Sequence, residues 1–255
     1  MPEGDTVFRA ARELRAALVG ERLTRCDIRV PRFATVDLAG EVVDDVVSRG
    51  KHLLIRVGDA SIHTHLKMEG IWHIYQPGEK WRRPAWQARI ILGTARSAAV
   101  GFQLGVVEVL RRDAEDTAVG HLGPDLLGPD WDAVEALTRL RANPGRTIGE
   151  AVLDQRMLAG IGNVYRSELC FLVGVLPETP VGDVPDLPRL VTLAQKLLAA
   201  NRERSRRSTT GRLRGDTLWV YGRDRRPCLR CGTAIRQAEF GDPARVVYWC
   251  PNCQR

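Results

Sequence analysis

The stretch Lys51-His52-Leu53-Leu54-Ile55-Arg56-Val57-Gly58-Asp59-Ala60-Ser61-Ile62-His63-Thr64-His65-Leu66 decides the fold class. Residues 53–57 and 61–65 are short runs rich in β-formers, and Gly58-Asp59 between them is a two-residue hairpin turn with glycine first. Similar runs flank this hairpin at 26–30, 42–47, 71–75, 89–92 and 106–110. Many short strands with turn punctuation predict an antiparallel sandwich or barrel. Ahead of them, Val7, Ala11, Leu14 and Leu18 are spaced by four, three and four. That spacing predicts a helix over 6–19, with Asp5 or Thr6 as its cap and Gly20 as its stop.

Beyond the β-rich stretch the punctuation changes. Gly120, Gly123-Pro124 and Gly128-Pro129 break regular structure and mark a linker. Trp131, Val134, Leu137 and Leu140 then predict one helix. Ile148, Ala151 and Val152 open a second, and Leu187, Leu190, Leu193 and Leu197 mark a longer one. The final residues return to short β-like pieces held by cysteines.

The chain has 255 residues, comfortable for two domains with a sizeable core. Its hydrophobic fraction of 44% and charged fraction of 27% exclude a disordered chain. No apolar run approaches the roughly 18–20 residues that span a bilayer. The first residues carry no basic region followed by an apolar core, so no secretory signal is expected and the cytoplasm is the expected compartment. The net charge is +7, which points to an anionic partner. The imbalance is localised: residues 202–230 hold ten arginines and three acids, and the remainder is balanced. A solvated basic linker is one reading. Phosphate contact is the other, because the guanidinium fork matches phosphate oxygens.

Cys26 and Cys170 stand singly in apolar surroundings and read as buried structural thiols. The other four cysteines read Cys228-x₂-Cys231-x₁₈-Cys250-x₂-Cys253. Two such pairs fit a tetrahedral thiolate site for one zinc ion. A pair of disulfides is the alternative, disfavoured in a reducing compartment. A redox pair would not need two copies. So short a module lacks an independent core, so a metal there would be part of its folding.

Pro2 follows the initiator methionine, and a small second residue permits removal of Met1. The exposed secondary amine would have a pKa near about 8, against about 10.4 for lysine, so more of it is nucleophilic at neutral pH. With an aldehyde it would give a cationic iminium, and Glu3 beside it could move protons for that chemistry. Alone this is a weak signal, since most Met-Pro starts carry no chemistry.

The weak signals occur together and in order. Met1-Pro2-Glu3-Gly4, Arg49-Gly50-Lys51-His52-Leu53-Leu54, His63-Thr64-His65-Leu66-Lys67-Met68-Glu69-Gly70, Leu122-Gly123-Pro124-Asp125, Gly160-Ile161-Gly162-Asn163-Val164-Tyr165 and the four cysteines follow one another along the chain. The whole chain resembles the formamidopyrimidine-DNA glycosylase / endonuclease VIII family of base-excision repair. Gly4 is like the endonuclease VIII branch, and the overall look is of its actinobacterial members. The resemblance implies an α+β multidomain fold. An N-terminal antiparallel β-sandwich domain with flanking helices would span 1–115, with a linker at 116–130. A helix–two-turns–helix domain would follow at 131–215, and a four-cysteine zinc finger at 216–255.

The resemblance also implies a bifunctional DNA glycosylase and abasic-site lyase. It would flip a damaged base from double- or single-stranded DNA, attack C1′ through Pro2 and cut the strand by β,δ-elimination. Pro2 then matches the nucleophile, Glu3 the acid at the deoxyribose ring oxygen, and Lys51 a lysine near the damaged base and its phosphate. Asn163 matches the asparagine of the glycine turn, Arg245 a finger arginine on the phosphates, and Met68 the wedge that fills the gap left by the flipped base. Cys228, Cys231, Cys250 and Cys253 would hold one structural zinc.

Each has a plainer reading: a surface lysine, an ordinary helix cap at Asn163, a hairpin charge at Arg245, a core methionine. At the glycine turn, backbone N–H groups and a positive helix end suit a phosphate. His65 reads as structural, and His63 and His73 read as sheet positions. A monomer without a membrane partner is expected.

Two departures bear on substrate. Thr6 replaces a common second glutamate, with Asp5 before it. Phe102-Gln103-Leu104-Gly105 stands where formamidopyrimidine glycosylases carry Arg-Arg-Phe-Gly, leaving Leu104 at best as a further wedge. That favours oxidised pyrimidines, including those in single strands, where unpairing costs less. The alternatives are an 8-oxoguanine or formamidopyrimidine glycosylase, and a zinc-dependent DNA-binding protein without chemistry.

Overall fold

The computed structural model describes residues 2–255, so Met1 and its removal lie outside the described residues. The chain divides into two compact units. Pro2 and Thr6–His121 form one; Glu3–Asp5 and Leu122–Arg255 form the other.

Helix α1 (Gly4–Leu18) begins earlier than the apolar spacing predicts. Asp5 and Thr6 therefore lie inside it rather than capping it. Its apolar stripe Val7, Ala11, Leu14 and Leu18 is buried. Gly20 ends it in the left-handed region at φ 81°, where glycine carries no Cβ penalty.

Eight strands follow: β1 (Arg25–Ile28), β2 (Val43–Arg49), β3 (His52–Val57), β4 (Ala60–His65), β5 (Ile71–Tyr75), β6 (Ala88–Gly93), β7 (Ala98–Phe102) and β8 (Val106–Arg111). They make two antiparallel sheets, β1-β6-β7-β5 and β2-β3-β4-β8. One core lies between them. Val46, Leu53, Ile55 and Ile62 come from one sheet, Ile90, Leu92 and Ala99 from the other, and the α1 stripe joins them. The β3–β4 hairpin closes at Gly58 with φ 54°, as its glycine-first turn requires. Strand β7 was not legible in the sequence. Two alanines and a glycine are weak β-formers, but β7 pairs on both flanks and buries Ala99, Val100 and Phe102. Its central place decides its state. A single-turn helix α2 (Asp116–Val119) follows β8.

The other unit holds α3 (Ala133–Arg141), α4 (Ile148–Ala151), α5 (Asn163–Val173), α6 (Leu187–Asn201), β9 (Arg236–Phe240) and β10 (Arg245–Trp249). Asp132 caps α3, accepting from the Val134 and Glu135 N–H groups at 2.8 and 3.1 Å. The predicted stripe of this helix needs correction. Trp131 precedes the helix and Val134 is 73% exposed, whereas Ala136 and Leu140 face the core. In α6, Leu187, Leu190, Val191, Ala194 and Leu198 are buried, with Leu193 and Leu197 half-buried on the flank. Helix α5 is buried from Asn163 to Phe171 and stops at Gly174, φ 80°. Strands β9 and β10 pair antiparallel, and Phe171, Val220 and Ile235 pack with Cys228 and Cys250 in a small second core. Among the described residues no helix is long and apolar enough to cross a membrane.

Candidate active site and metal centre

The start of α5 organises the site in the unit that contains Glu3. Gly162, not Asn163, is the cap residue, and no side chain caps the helix from within it. The open N–H groups are satisfied by Glu3, which is fully buried. Its carboxylate accepts from Gly162 N at 2.7 Å, Val164 N at 2.8 Å and Tyr165 N at 3.4 Å. The sequence suits these donors to a phosphate; a carboxylate of the chain itself fills them. The physical reason is the same for both anions, since the helix start offers aligned donors and a positive dipole end.

Glycine is required at position 162 for space. A Cβ there would stand 2.5 Å from the Glu3 carboxyl carbon. Gly4 likewise lies against Gly160, and its N–H donates to the Gly160 carbonyl at 2.9 Å. The glycines of the Gly160-Ile161-Gly162 turn thus seat Glu3 and Gly4.

A buried polar triad accompanies Glu3, and the sequence did not reveal it. Arg207 grips Asp5 through Nε and Nη2, at 2.7 and 2.5 Å, and its Nη1 lies 3.9 Å from Glu3 Oε1. The Tyr165 hydroxyl donates to Asp5 at 2.8 Å, and the Arg207 guanidinium lies over the Tyr165 ring at 4.8 Å. Burial, and then the Asp5 charge, push the Tyr165 phenol up, so it stays a donor. Arg207 was legible only as part of the basic run. Asp5 sits beside the missing second glutamate, which was the one available signal.

Asn163 and Arg245 meet through Arg166. Asn163 Nδ2 donates to the Val246 carbonyl at 2.7 Å, and the buried Arg166 donates to Asn163 Oδ1 and, at 3.3 Å, to the Arg245 carbonyl. The amide is held in one orientation, and the exposed Arg245 side chain springs from a fixed strand. Glu168, on the same helix, accepts from the Trp219, Val220 and Tyr221 N–H groups at 2.8, 2.9 and 2.9 Å and ties that segment to α5.

In the β-sandwich unit, Pro2 is half-buried. Lys51 occupies the tight turn between β2 and β3, where Gly50 has φ 56°. Met68 lies in the loop after β4 and is 60% exposed, so the core-methionine reading fails. The pairs Arg49↔His52, His52↔His65 and His65↔Val106 bring the Lys51 turn, the Met68 loop and the 103–105 turn to one end of a sheet. Leu104 is not a wedge. It is 2% exposed and belongs to the core, while Gln103 forms the turn.

Histidines line the same end. His63 Nδ1 lies 3.0 Å from Glu108 and its Nε2 lies 2.8 Å from His52 Nδ1. With the carboxylate accepting, His63 donates to Glu108 and accepts from His52. Burial, then the charges of His65, His63, His121 and Lys67, push His52 down to about 3. Burial, then Lys67 and Lys51, push His65 down to about 4. His52 and His65 are therefore neutral at neutral pH. His65 Nδ1 accepts from Lys67 N at 2.9 Å, which pins the loop carrying Met68.

The four terminal cysteines form a metal-competent cluster. Their sulfurs all lie within 4.8 Å of one another. The Cys228–Cys253 and Cys231–Cys250 pairs are 4.0 and 3.5 Å apart, against about 2.05 Å in a disulfide. Burial and the neighbouring sulfurs push Cys253 up to about 12, so loss of its proton needs a nearby cation. Four soft donors at this spacing could hold a metal ion tetrahedrally.

The β-sandwich unit thus carries a lysine turn beside an exposed methionine loop, and the helical unit carries a buried carboxylate on a helix start and a four-sulfur cluster. The formamidopyrimidine-DNA glycosylase N-terminal domain matches residues 1–103, and the H2TH domain of the same enzymes matches residues 122–206. The chain is 61% identical to a probable endonuclease 8 2 of Streptomyces coelicolor, covering all of this chain and 94% of the relative. It is 56% identical to the DNA-(apurinic or apyrimidinic site) lyase Nei2 of Mycolicibacterium smegmatis, covering all of this chain and 99% of that one. A solved structure of MutM with DNA containing carbocyclic 8-oxo-G has the same fold, at a TM-score of 0.84, 23% identity and full coverage of both chains. The chain belongs to the formamidopyrimidine-DNA glycosylase / endonuclease VIII family.

Proposed function

We propose that this protein is a DNA glycosylase and abasic-site lyase of base-excision repair, acting on damaged DNA. The observation that carries the reading is the Glu3 carboxylate, held by Gly162, Val164 and Tyr165 N–H groups, in the residue that follows Pro2 in sequence. Full-length identity to proteins named endonuclease 8 and abasic-site lyase supports it.

The Pro2 amine attacks C1′ and forms a C–N bond. The C1′–base bond breaks, and the base leaves with that bond's electron pair and takes a proton from water. The proton that the amine sheds on bonding to C1′ passes through Glu3 to the ring oxygen, the sugar opens, and an iminium remains. Loss of a C2′ proton expels the 3′ phosphate, a second elimination expels the 5′ phosphate, and water hydrolyses the iminium, which frees Pro2 and releases the sugar remnant as an aldehyde. Lys51 supplies positive charge near the base and phosphate, Asn163 and Arg245 hold the flanking phosphates, and Met68 fills the vacated stack. Cys228, Cys231, Cys250 and Cys253 take one structural zinc. The buried Leu104 supports oxidised pyrimidines as substrates, because the turn offers no second apolar wedge against the opposite base. The chain works in the cytoplasm as a monomer. Its organisation follows the division into 1–115, a linker at 116–130, 131–215 and 216–255.

Borohydride trapping tests the chemistry. Reduction of the iminium at an abasic site should give a stable protein–DNA adduct that maps to residue 2, with Met1 gone. An adduct on Lys51, or none with N-terminally processed protein, would overturn the mechanism.

A further inference from the structure

Trp86 is 78% exposed, the largest such side chain among the exposed apolar residues, and the fold gives no packing reason for it. The segment carrying it is nevertheless held firmly. Trp81 packs on Tyr75 and Phe102, the Arg82 N–H donates to the Tyr75 hydroxyl at 3.0 Å, and Arg29 donates to the Ala85 carbonyl at 3.0 Å. Pro84 opens a short 3-10 turn, Ala85–Gln87, that sets the indole on a fixed backbone. A single exposed apolar side chain is ordinary; a tryptophan held out on an anchored, basic loop offers a broad stacking face with charge beside it.

Its neighbours specify the ligand. Residues 79–83 read Glu79-Lys80-Trp81-Arg82-Arg83, and Glu79 is engaged by the Gln76 N–H at 3.0 Å. Lys80 and Arg82 are exposed. The loop also touches the turn that lacks a wedge. Arg83 donates to the Gln103 side chain at 2.6 Å, and Gln103 N donates to the Gln87 carbonyl at 2.9 Å. On its far side that turn is bonded to the Met68 loop, through Gly105 N and the His65 carbonyl at 3.0 Å. One hydrogen-bonded path therefore runs from the Trp86 segment to the stem of the Met68 loop within the β-sandwich unit.

We propose that Trp86, with Lys80 and Arg82, is a stacking platform for an unpaired base of the DNA strand. The indole supplies a face for any base, and the two cations meet the adjoining phosphates. Stacking is indifferent to base identity, so the platform serves single-stranded and locally opened DNA and favours neither purine nor pyrimidine sharply. The inference rests on the reading of the chain as a DNA repair enzyme, but the two fail separately.

The test is equilibrium binding of undamaged single-stranded oligonucleotides by fluorescence anisotropy at two salt concentrations, using the full chain. Trp86→Ala should weaken binding about tenfold with no change in salt slope, because it removes a stacking face and no charge. Trp86→Phe should recover most of the loss, and Arg82→Ala should lower the slope by about one. Unchanged affinity in Trp86→Ala overturns the platform. So does a loss that Phe cannot restore in a variant whose melting temperature matches the parent. Borohydride trapping by the parent protein separates the two readings. Trapping without a Trp86 effect leaves the enzyme and removes the platform; a Trp86 effect without trapping leaves the platform and removes the chemistry.

Discussion

Glu3 and Gly162 are in direct apposition: the Gly162 N–H donates to the Glu3 carboxylate at 2.7 Å, and the space a Cβ would need is taken by the carboxyl group. The helix start and the chain's third residue are thus one device. Gly162→Ala should force Glu3 or the turn to move. Base excision should fall by about a hundredfold, the size of loss that an ångström of misplacement produces at a catalytic group. Single-turnover excision with saturating enzyme reads this directly, since saturation removes any binding loss. A rate within twofold of the parent would show that Glu3 placement does not limit the reaction.

Asp5 and Arg207 form a buried ion pair with two hydrogen bonds, and their side chains are 4% and 14% exposed. Asp5→Ala should remove the two-point grip on a buried guanidinium and the acceptor of the Tyr165 hydroxyl, and cost about 3–5 kcal/mol of stability. Urea unfolding measures it. Arg207→Lys should also destabilise, because an ammonium cannot reproduce the two-point grip. Near-parent stability in Asp5→Ala would mean that water replaces the carboxylate easily.

The histidine chain predicts an acid-sensitive fold. His52 titrates lower in the folded protein than its ordinary value of 6.5, so below that value the unfolded chain binds a proton the native one does not. Stability is then intact above pH 6.5 and is lost as pH falls toward about 3. One such group gives a slope of about 1.4 kcal/mol per pH unit. His65 adds to it in the same direction. Melting temperatures between pH 7 and 4 should fall less steeply in His52→Gln than in the parent. Parallel curves would show that His52 does not titrate differently on folding.

The cysteine cluster should make the C-terminal module metal-dependent. Purified under reducing conditions, the chain should carry one zinc, and Cys250→Ser should lower that content. A chelator should expose the β9–β10 hairpin to proteolysis, because its small core of Phe171, Val220 and Ile235 includes two of the cysteines. A metal-free sample with full protease resistance would refute this.

How far the sequence reached depended on the range of the signal. The β3–β4 hairpin was legible because alternation and a glycine turn are local. Strand β7 was not, since its pairing partners and not its alanines make it a strand. The glycine turn before Asn163 was readable as an anion cradle, but its occupant was not, because Glu3 stands 159 residues away. Arg207 looked like one more charge in a basic run, and only burial beside Asp5 distinguishes it. Leu104 fits a wedge by its place in the sequence, but the core of the sandwich claims it. Val134 fitted a helical stripe and lies outside it, because spacing gives the period of a helix but not the face its neighbours cover.

Met68 tests the wedge separately from the chemistry. Its side chain is 60% exposed on a loop pinned by the Lys67 N–H to His65, so truncation removes little packing and should leave stability near the parent's. Base excision requires the nucleotide to leave the stack, and an unbranched apolar side chain offsets the unstacking by filling the gap. A preformed abasic site has no base to extrude and needs less of this help. Met68→Ala should therefore slow excision from a lesion-containing duplex by about tenfold or more, while strand cutting at an abasic site falls much less. Met68→Leu, which keeps the volume, should recover most of the excision rate. Single-turnover rates on the two substrates under the same conditions give the ratio. Equal losses on both would remove Met68 from base extrusion and leave it as a general contact to the DNA.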